Sequence, residues 1–138
     1  MSGPVAIEGY ASLWGRADLN GDVVQRGAFA ESLARTGAAG VKMLNQHDGR
    51  AVVGRWDRVE EDETGLFVSG VIEDWSNEAR VAAHLARAGA VDGLSIGFQA
   101  RRARREEGLR VLSEIELWEV SLVVFPMEPK ARFQIVGE

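Results

Sequence analysis

Cysteine is absent from the 138 residues, which excludes a disulfide framework, a thiolate nucleophile and any thiolate metal site. Long apolar runs are absent too, and none approaches the ~20 residues that a membrane-crossing helix requires. The opening residues MSGPVAIEGY lack the charged start and apolar core of a secretory signal, so the expected location is the cytosol of the cell that makes the protein. An excess of basic residues is also missing. With a net charge of -5 the chain as a whole repels nucleic acid, and any basic site has to be local. What is present is ordinary for a globular protein: 46% apolar and 27% charged residues, a balance that argues against disorder. No repeat, linker or low-complexity segment divides the chain, so residues 1–138 are expected to form a single domain with one core.

Strand patterns dominate. Val5 to Trp14 alternates loosely between apolar and small or polar residues, and residues 15–26 then carry turn chemistry around Asn20 and Gly21. Phe29 and Leu33, four apart, predict a short helix over Gly27 to Arg35 that stops at Gly37. Strands are expected over Val41 to His47, Val52 to Val59 and Leu66 to Ile72, with EEDETG as a hairpin connection. Ser76 can cap a second helix, Asn77 to Ala88, which Gly89 terminates. A strand from Leu94 to about Arg105 turns at EEG into a long strand from Leu109 to Phe125. Pro126 and Pro129 break that pattern before a tail strand, Arg132 to Val136. This spacing predicts a closed or nearly closed, mostly antiparallel sheet, a β-barrel with helices laid on its outside.

Within GAVDGLSIGF, residues 89–98, a serine stands between two glycines in an apolar run. GLSIG fits the G-x-S-x-G nucleophile elbow of the α/β-hydrolases, which needs a helix directly after the serine and a histidine later in the chain. Neither requirement is met. FQARRARREEG has no apolar helical face, and the two histidines, His47 and His84, both precede Ser95. Strand geometry instead puts Leu94, Ile96 and Phe98 on one face and Gly93, Ser95 and Gly97 on the other. Ser95 then stands on a bare face where a peptide substrate could lie close, or the glycines merely bend a barrel strand around a small filler. In VKMLNQHD a strand delivers His47 into a polar turn, where it can act as a general base or remain a solvated side chain. His84 lies inside the predicted helix beside Val81 and Leu85 and is expected to pack there.

GYASLWGRADLNGDVVQRGAFAESL, LNQHD, GLFVSGVI, GAVDGLSIGF and LWEVSLVVFP, in that order, resemble the prohead (procapsid) maturation proteases of tailed phages. The resemblance runs from about Val5 to Pro129. It implies a serine endopeptidase related to the herpesvirus assemblins, with a β-barrel wrapped by helices. Such a protein acts in the bacterial cytoplasm inside the immature capsid, cutting scaffold or the scaffolding segment of the major capsid protein. Carried over by motif, Ser95 is the nucleophile, His47 the base, and Glu119 of LWEVS the third catalytic member. No cofactor or metal is implied, and neither nucleic acid nor membrane is an expected partner. Assemblins pair, so a homodimer is allowed by analogy. Phage members often continue past the last barrel strand, so a chain ending at Glu138 suggests a trimmed form or the compact version of a prophage or gene transfer agent.

Alternation along SEIELWEVSLVVF puts Glu114 and Glu116 on one face, with Glu119 on the other beside Ile115, Leu117, Ser121 and Val123. A carboxylate among apolar neighbours needs a partner, which an oriented histidine would supply, although an arginine would serve as well. The oxyanion donors would be backbone amides, with the turn after Phe125 as a candidate region. DLNGD imitates the start of a calcium loop, but Phe29 stands where its bidentate glutamate belongs. RRARR, residues 101–105, is expected to be a charged strand end that discourages edge pairing. The four tryptophans, Trp14, Trp56, Trp75 and Trp118, fit either a core or a peptide groove. The rival function is a non-catalytic barrel that binds capsid or scaffold protein during assembly, for which neither Ser95 nor His47 is needed.

Overall fold

The computed structural model describes residues 2–138. The chain runs β1 (Val5–Leu13), β2 (Asp22–Val24), α1 (Ala30–Thr36), β3 (Lys42–Asn45), β4 (Asp48–Glu61), β5 (Gly65–Ile72), α2 (Asn77–Arg87), β6 (Gly93–Glu106), β7 (Leu109–Val123) and β8 (Phe133–Ile135). All strands join one eight-stranded sheet of order β2-β7-β3-β4-β5-β1-β8, with β6 paired to β7 as well. The sheet curls until its ends meet. Arg132, next to β8, bridges Gly93 at the start of β6, while Leu94 N–H donates to the Ala131 carbonyl at 2.9 Å and Phe133 N–H to that of Asp92 at 2.9 Å. The interior is filled by Phe29, Met43, Leu66, Ile72, Leu94, Leu112, Ile115, Leu117 and Leu122, all fully buried.

The sheet is mostly antiparallel, as its short turns predict, but β7 pairs in parallel with β2 and with β3. The two short strands lie end to end along one edge of β7, with α1 between them. That arrangement leaves the middle of the β7 edge without a strand, and its buried polar groups must still be paired. Gln25 N–H donates to the Leu112 carbonyl at 3.0 Å, Ile115 N–H to that of Ala28 at 2.9 Å, and Leu117 N–H to Ser32 Oγ at 3.0 Å. Ser32 is itself buried, at 2% exposure. Ser32→Ala therefore strands the Leu117 amide, and urea unfolding should show a loss of about 1–3 kcal/mol; an unchanged midpoint would mean that another acceptor takes over.

Several boundaries differ from the sequence expectation for tertiary reasons. Residues 22–24 form β2 where a turn was expected, because parallel pairing with β7 supplies their partners. The helix α1 begins at Ala30 rather than Gly27, since the Glu61 carboxylate of β4 accepts from Gly27 N–H at 3.1 Å and Phe29 N–H at 3.0 Å. Glu61 thus does the work of a cap. The strand β7 ends at Val123, and Phe125 beyond it is 89% exposed. In α2, Ser76 Oγ accepts from Ala79 N–H at 3.0 Å, and Ala79, Ala82, Ala83 and Ala86 form the buried face. His84 falls off that face and is exposed, which corrects the expectation that it packs. Trp56 belongs to the core and donates to the Val120 carbonyl at 3.2 Å, Trp14 packs against Phe29, and Trp75 and Trp118 are exposed.

The polar motifs set aside from function have structural partners. Asp18 of DLNGD accepts from the backbone amides of Asn20 and Asp22, and Asp22 holds Arg110 through two contacts of 2.8 Å. Among the described residues no cluster of metal-ligating side chains is found. In RRARR, Arg101 pairs with Glu116, Arg102 with Glu114 and Arg104 with Glu106.

Candidate active site

The strands β3 and β4 are joined by the two-residue turn Gln46–His47, closed by the pair Asn45 and Asp48. Both turn residues are left-handed, with φ 54° and 61°. This is the type I′ geometry that matches the twist of a hairpin and is normally given to Asn-Gly. Side chains tolerate it poorly, so the surroundings must hold the turn in place. They do so from β7: Gln46 N–H donates to the Leu122 carbonyl at 2.9 Å, and His47 N–H to Ser121 Oγ at 3.0 Å. The result is a rigid mount that projects the His47 ring from a strand end.

Opposite that ring lies Glu119. Its Oε2 is 2.5 Å from His47 Nδ1, and its Oε1 accepts from Ser121 Oγ at 2.6 Å. A carboxylate only accepts, so it draws the imidazole proton to Nδ1 and leaves the Nε2 lone pair free. The hydrogen bond to Glu119 raises the His47 pKa above its ordinary value; partial burial acts in the other direction. Glu119 is mostly buried, at 12% side-chain exposure, whereas the ring is 42% exposed and open to a reactant.

Glu119 does not lie on the face that simple alternation predicts. Gly97 and Phe98 of β6 face Glu119 and Leu117 of β7, so Trp118 is an extra, bulged residue. The bulge shifts parity. Leu117, Val120 and Leu122 point into the core, while Glu119 and Ser121 share the other face with Glu116. Glu119 is distinguished from Glu116 by position along the strand, since it sits beside β3 and the His47 turn, paired with Lys42.

Ser95 lies directly opposite Ser121 across the β6–β7 ladder, and Gly97 lies opposite Glu119. Facing residues in such a pair have Cβ atoms ~5 Å apart on one face. Ser95, Ser121, Glu119 and His47 are therefore gathered in one patch. Among the described residues no hydrogen bond links the Ser95 hydroxyl to the His47 ring. The glycines on either side of Ser95 have occupants from within the chain, which differs from the reading of open clearance for a substrate. A Cβ at Gly97 would overlap the Glu119 carboxylate, and one at Gly93 would lie 2.8 Å from Pro126 Cδ. Gly97 is thus the gap through which Glu119 reaches His47. Ser95 also lines a small cavity with Ala11, Leu13, Met127 and Glu128. Ser121 is a member of this patch that the sequence did not single out; the spacing of the carboxylate and hydroxyl in Glu119-Val120-Ser121 was the available signal.

A curled barrel with a histidine–carboxylate pair beside a strand-borne serine places the chain among proteins of the herpesvirus protease fold. The T4 capsid assembly protease superposes with a TM-score of 0.70 at 16% identity, covering 89% of each chain. KSHV protease bound to a hexapeptide phosphonate inhibitor gives a TM-score of 0.64 at 12% identity, over 98% of this chain and 66% of that one. The family is narrower than the fold: residues 2–138 match the model of the caudovirus prohead serine proteases, and the chain belongs to that family. It is 32% identical over 130 residues to the prohead protease of Enterobacteria phage HK97, and 29% identical over 136 residues to that of Escherichia phage T5. These matches cover 91% and 96% of this chain but only 57% and 63% of the two relatives.

Proposed function

We propose that the chain is a serine endopeptidase of capsid maturation, in which Ser95 is the nucleophile, His47 the general base and acid, and Glu119 the residue that orients His47. The observation that carries this reading is the 2.5 Å contact between His47 Nδ1 and Glu119 Oε2, on the face that also presents Ser95. Membership of the prohead protease family supports it independently. In the reaction, Ser95 Oγ forms a bond to the peptide carbonyl carbon as its proton passes to His47 Nε2. The C–N bond then breaks as Nε2 returns that proton to the leaving amine. Water, deprotonated by the same nitrogen, cleaves the acyl-enzyme. Backbone amides would stabilise the oxyanion in both halves. The substrate class is scaffold or the scaffolding segment of the major capsid protein, met inside the immature capsid. No helix among the described residues is long and apolar enough to cross a membrane.

The discriminating experiment exposes the purified protein to a serine-directed fluorophosphonate and maps the adduct by mass spectrometry. An adduct on Ser95 is expected; none would leave the chain a non-catalytic assembly factor. Sequencing the cut ends of a co-expressed capsid protein would define the substrate.

The pH dependence follows from His47. Only the neutral ring accepts a proton, and Glu119 raises its pKa, so activity should rise with pH through a midpoint above the ~6.5 of free imidazole. Stability runs the opposite way: the protonated ring's bond to Glu119 contributes fully below ~6.5 and is lost as pH climbs through the raised value. A cleavage rate flat from pH 5 to 8 would remove His47 from the mechanism.

A further inference from the structure

We propose that Ser121 is a positioning residue that holds both halves of the His47–Glu119 pair, an inference that rests on the peptidase reading above. Ser121 is completely buried, at 0% exposure, opposite Ser95. A buried hydroxyl needs partners, and both of its partners are parts of the site. It accepts from the backbone N–H of His47 at 3.0 Å and donates to Glu119 Oε1 at 2.6 Å. The first bond secures a turn whose residues are left-handed without being glycine. The second bond stops rotation of the carboxylate, whose terminal torsion is otherwise broad. With Oε1 held by Ser121 and Oε2 by His47 Nδ1, the carboxylate plane has one orientation, and the ring follows it. Gly97 supplies the room on the remaining side.

The role predicts coupling through Glu119, which a merely structural serine would not show. Imidazole NMR on the full chain provides the direct readout, because the other histidine, exposed His84, serves as an internal reference. In the parent, His47 should titrate above ~6.5 and carry its neutral-state proton on Nδ1. In Ser121→Ala its midpoint should fall toward the free-imidazole value and its tautomers should mix. Turnover should drop roughly tenfold with little change in KM. In a Glu119→Gln background the same substitution should cost clearly less than tenfold, since the bond to Glu119 is already impaired and only the one to His47 N–H remains to be lost. Should the alanine variant lose its circular dichroism signal, Ser121→Cys fills the same space with a weak donor and should show the same downward shift.

An active parent whose Ser121 variants leave the His47 titration and turnover unchanged would overturn the inference alone. Equal losses in the two backgrounds would also overturn it. A parent that takes up no fluorophosphonate at Ser95 would instead sink the peptidase reading, and the positioning role with it.

Discussion

Ser95→Ala should abolish peptide cleavage and fluorophosphonate uptake while leaving the barrel intact. The hydroxyl is half-buried on a face bounded by Gly93 and Gly97, so its loss opens no cavity in the core and should change stability by less than about 0.5 kcal/mol. Catalytically nothing replaces it: the histidine–carboxylate pair remains, but the proton it would remove is gone. Ser95→Cys should retain a fraction of the rate, because His47 can still generate a nucleophile there. Parent-like circular dichroism together with undiminished cleavage by Ser95→Ala would transfer the nucleophile's role to another residue. Ser121 is the nearest hydroxyl across the ladder, yet its full burial and its two hydrogen bonds leave it no room for attack.

Most of the barrel could be read in the sequence because its strands are locally self-consistent. Burial alternates from Leu66 to Ile72 as period two demands, and Ser76 and Gly89 mark the ends of α2 by local chemistry alone. The misplaced parts depend on distant partners. Residues 22–24 become a strand because β7 has an edge to offer, and α1 starts late because Glu61 reaches it from β4. In the site, a serine between glycines and a histidine at a strand end could be located, but their separation in space could not. Nor could the bulge at Trp118, which moves Glu119 to the face of Glu116. Alternation and family resemblance both pointed to Glu119, and the first did so through a register that the fold does not keep. The glycine spacing around Ser95 was informative for a different reason than clearance for a substrate: at Gly97 it makes room for Glu119.

That register makes the contrast between Glu119 and Glu116 the sharper test, because both carboxylates lie on one face of one strand. Glu119→Gln keeps the side chain's shape but leaves a single oxygen where two acceptors are in use. If that oxygen takes the Ser121 proton, the amide N–H₂ faces His47 Nδ1 and forces the ring proton onto Nε2, where a base needs its lone pair. If it takes the ring proton instead, Ser121 loses its acceptor and the imidazolium loses a negative neighbour. Either way turnover should fall by a factor of ~10² or more with substrate affinity changed far less. The pH midpoint of the residual activity should move down toward ~6.5, because the bond that raises the His47 pKa is gone. Glu116 meets Arg101 midway along the β6–β7 hairpin and has no contact with the histidine, so Glu116→Gln should leave turnover and pH midpoint near parent values. Steady-state kinetics across pH on the two variants decide the matter. A silent Glu119→Gln would mean that His47 is oriented by its turn and by Ser121 alone, and that the short contact to the carboxylate serves stability rather than catalysis.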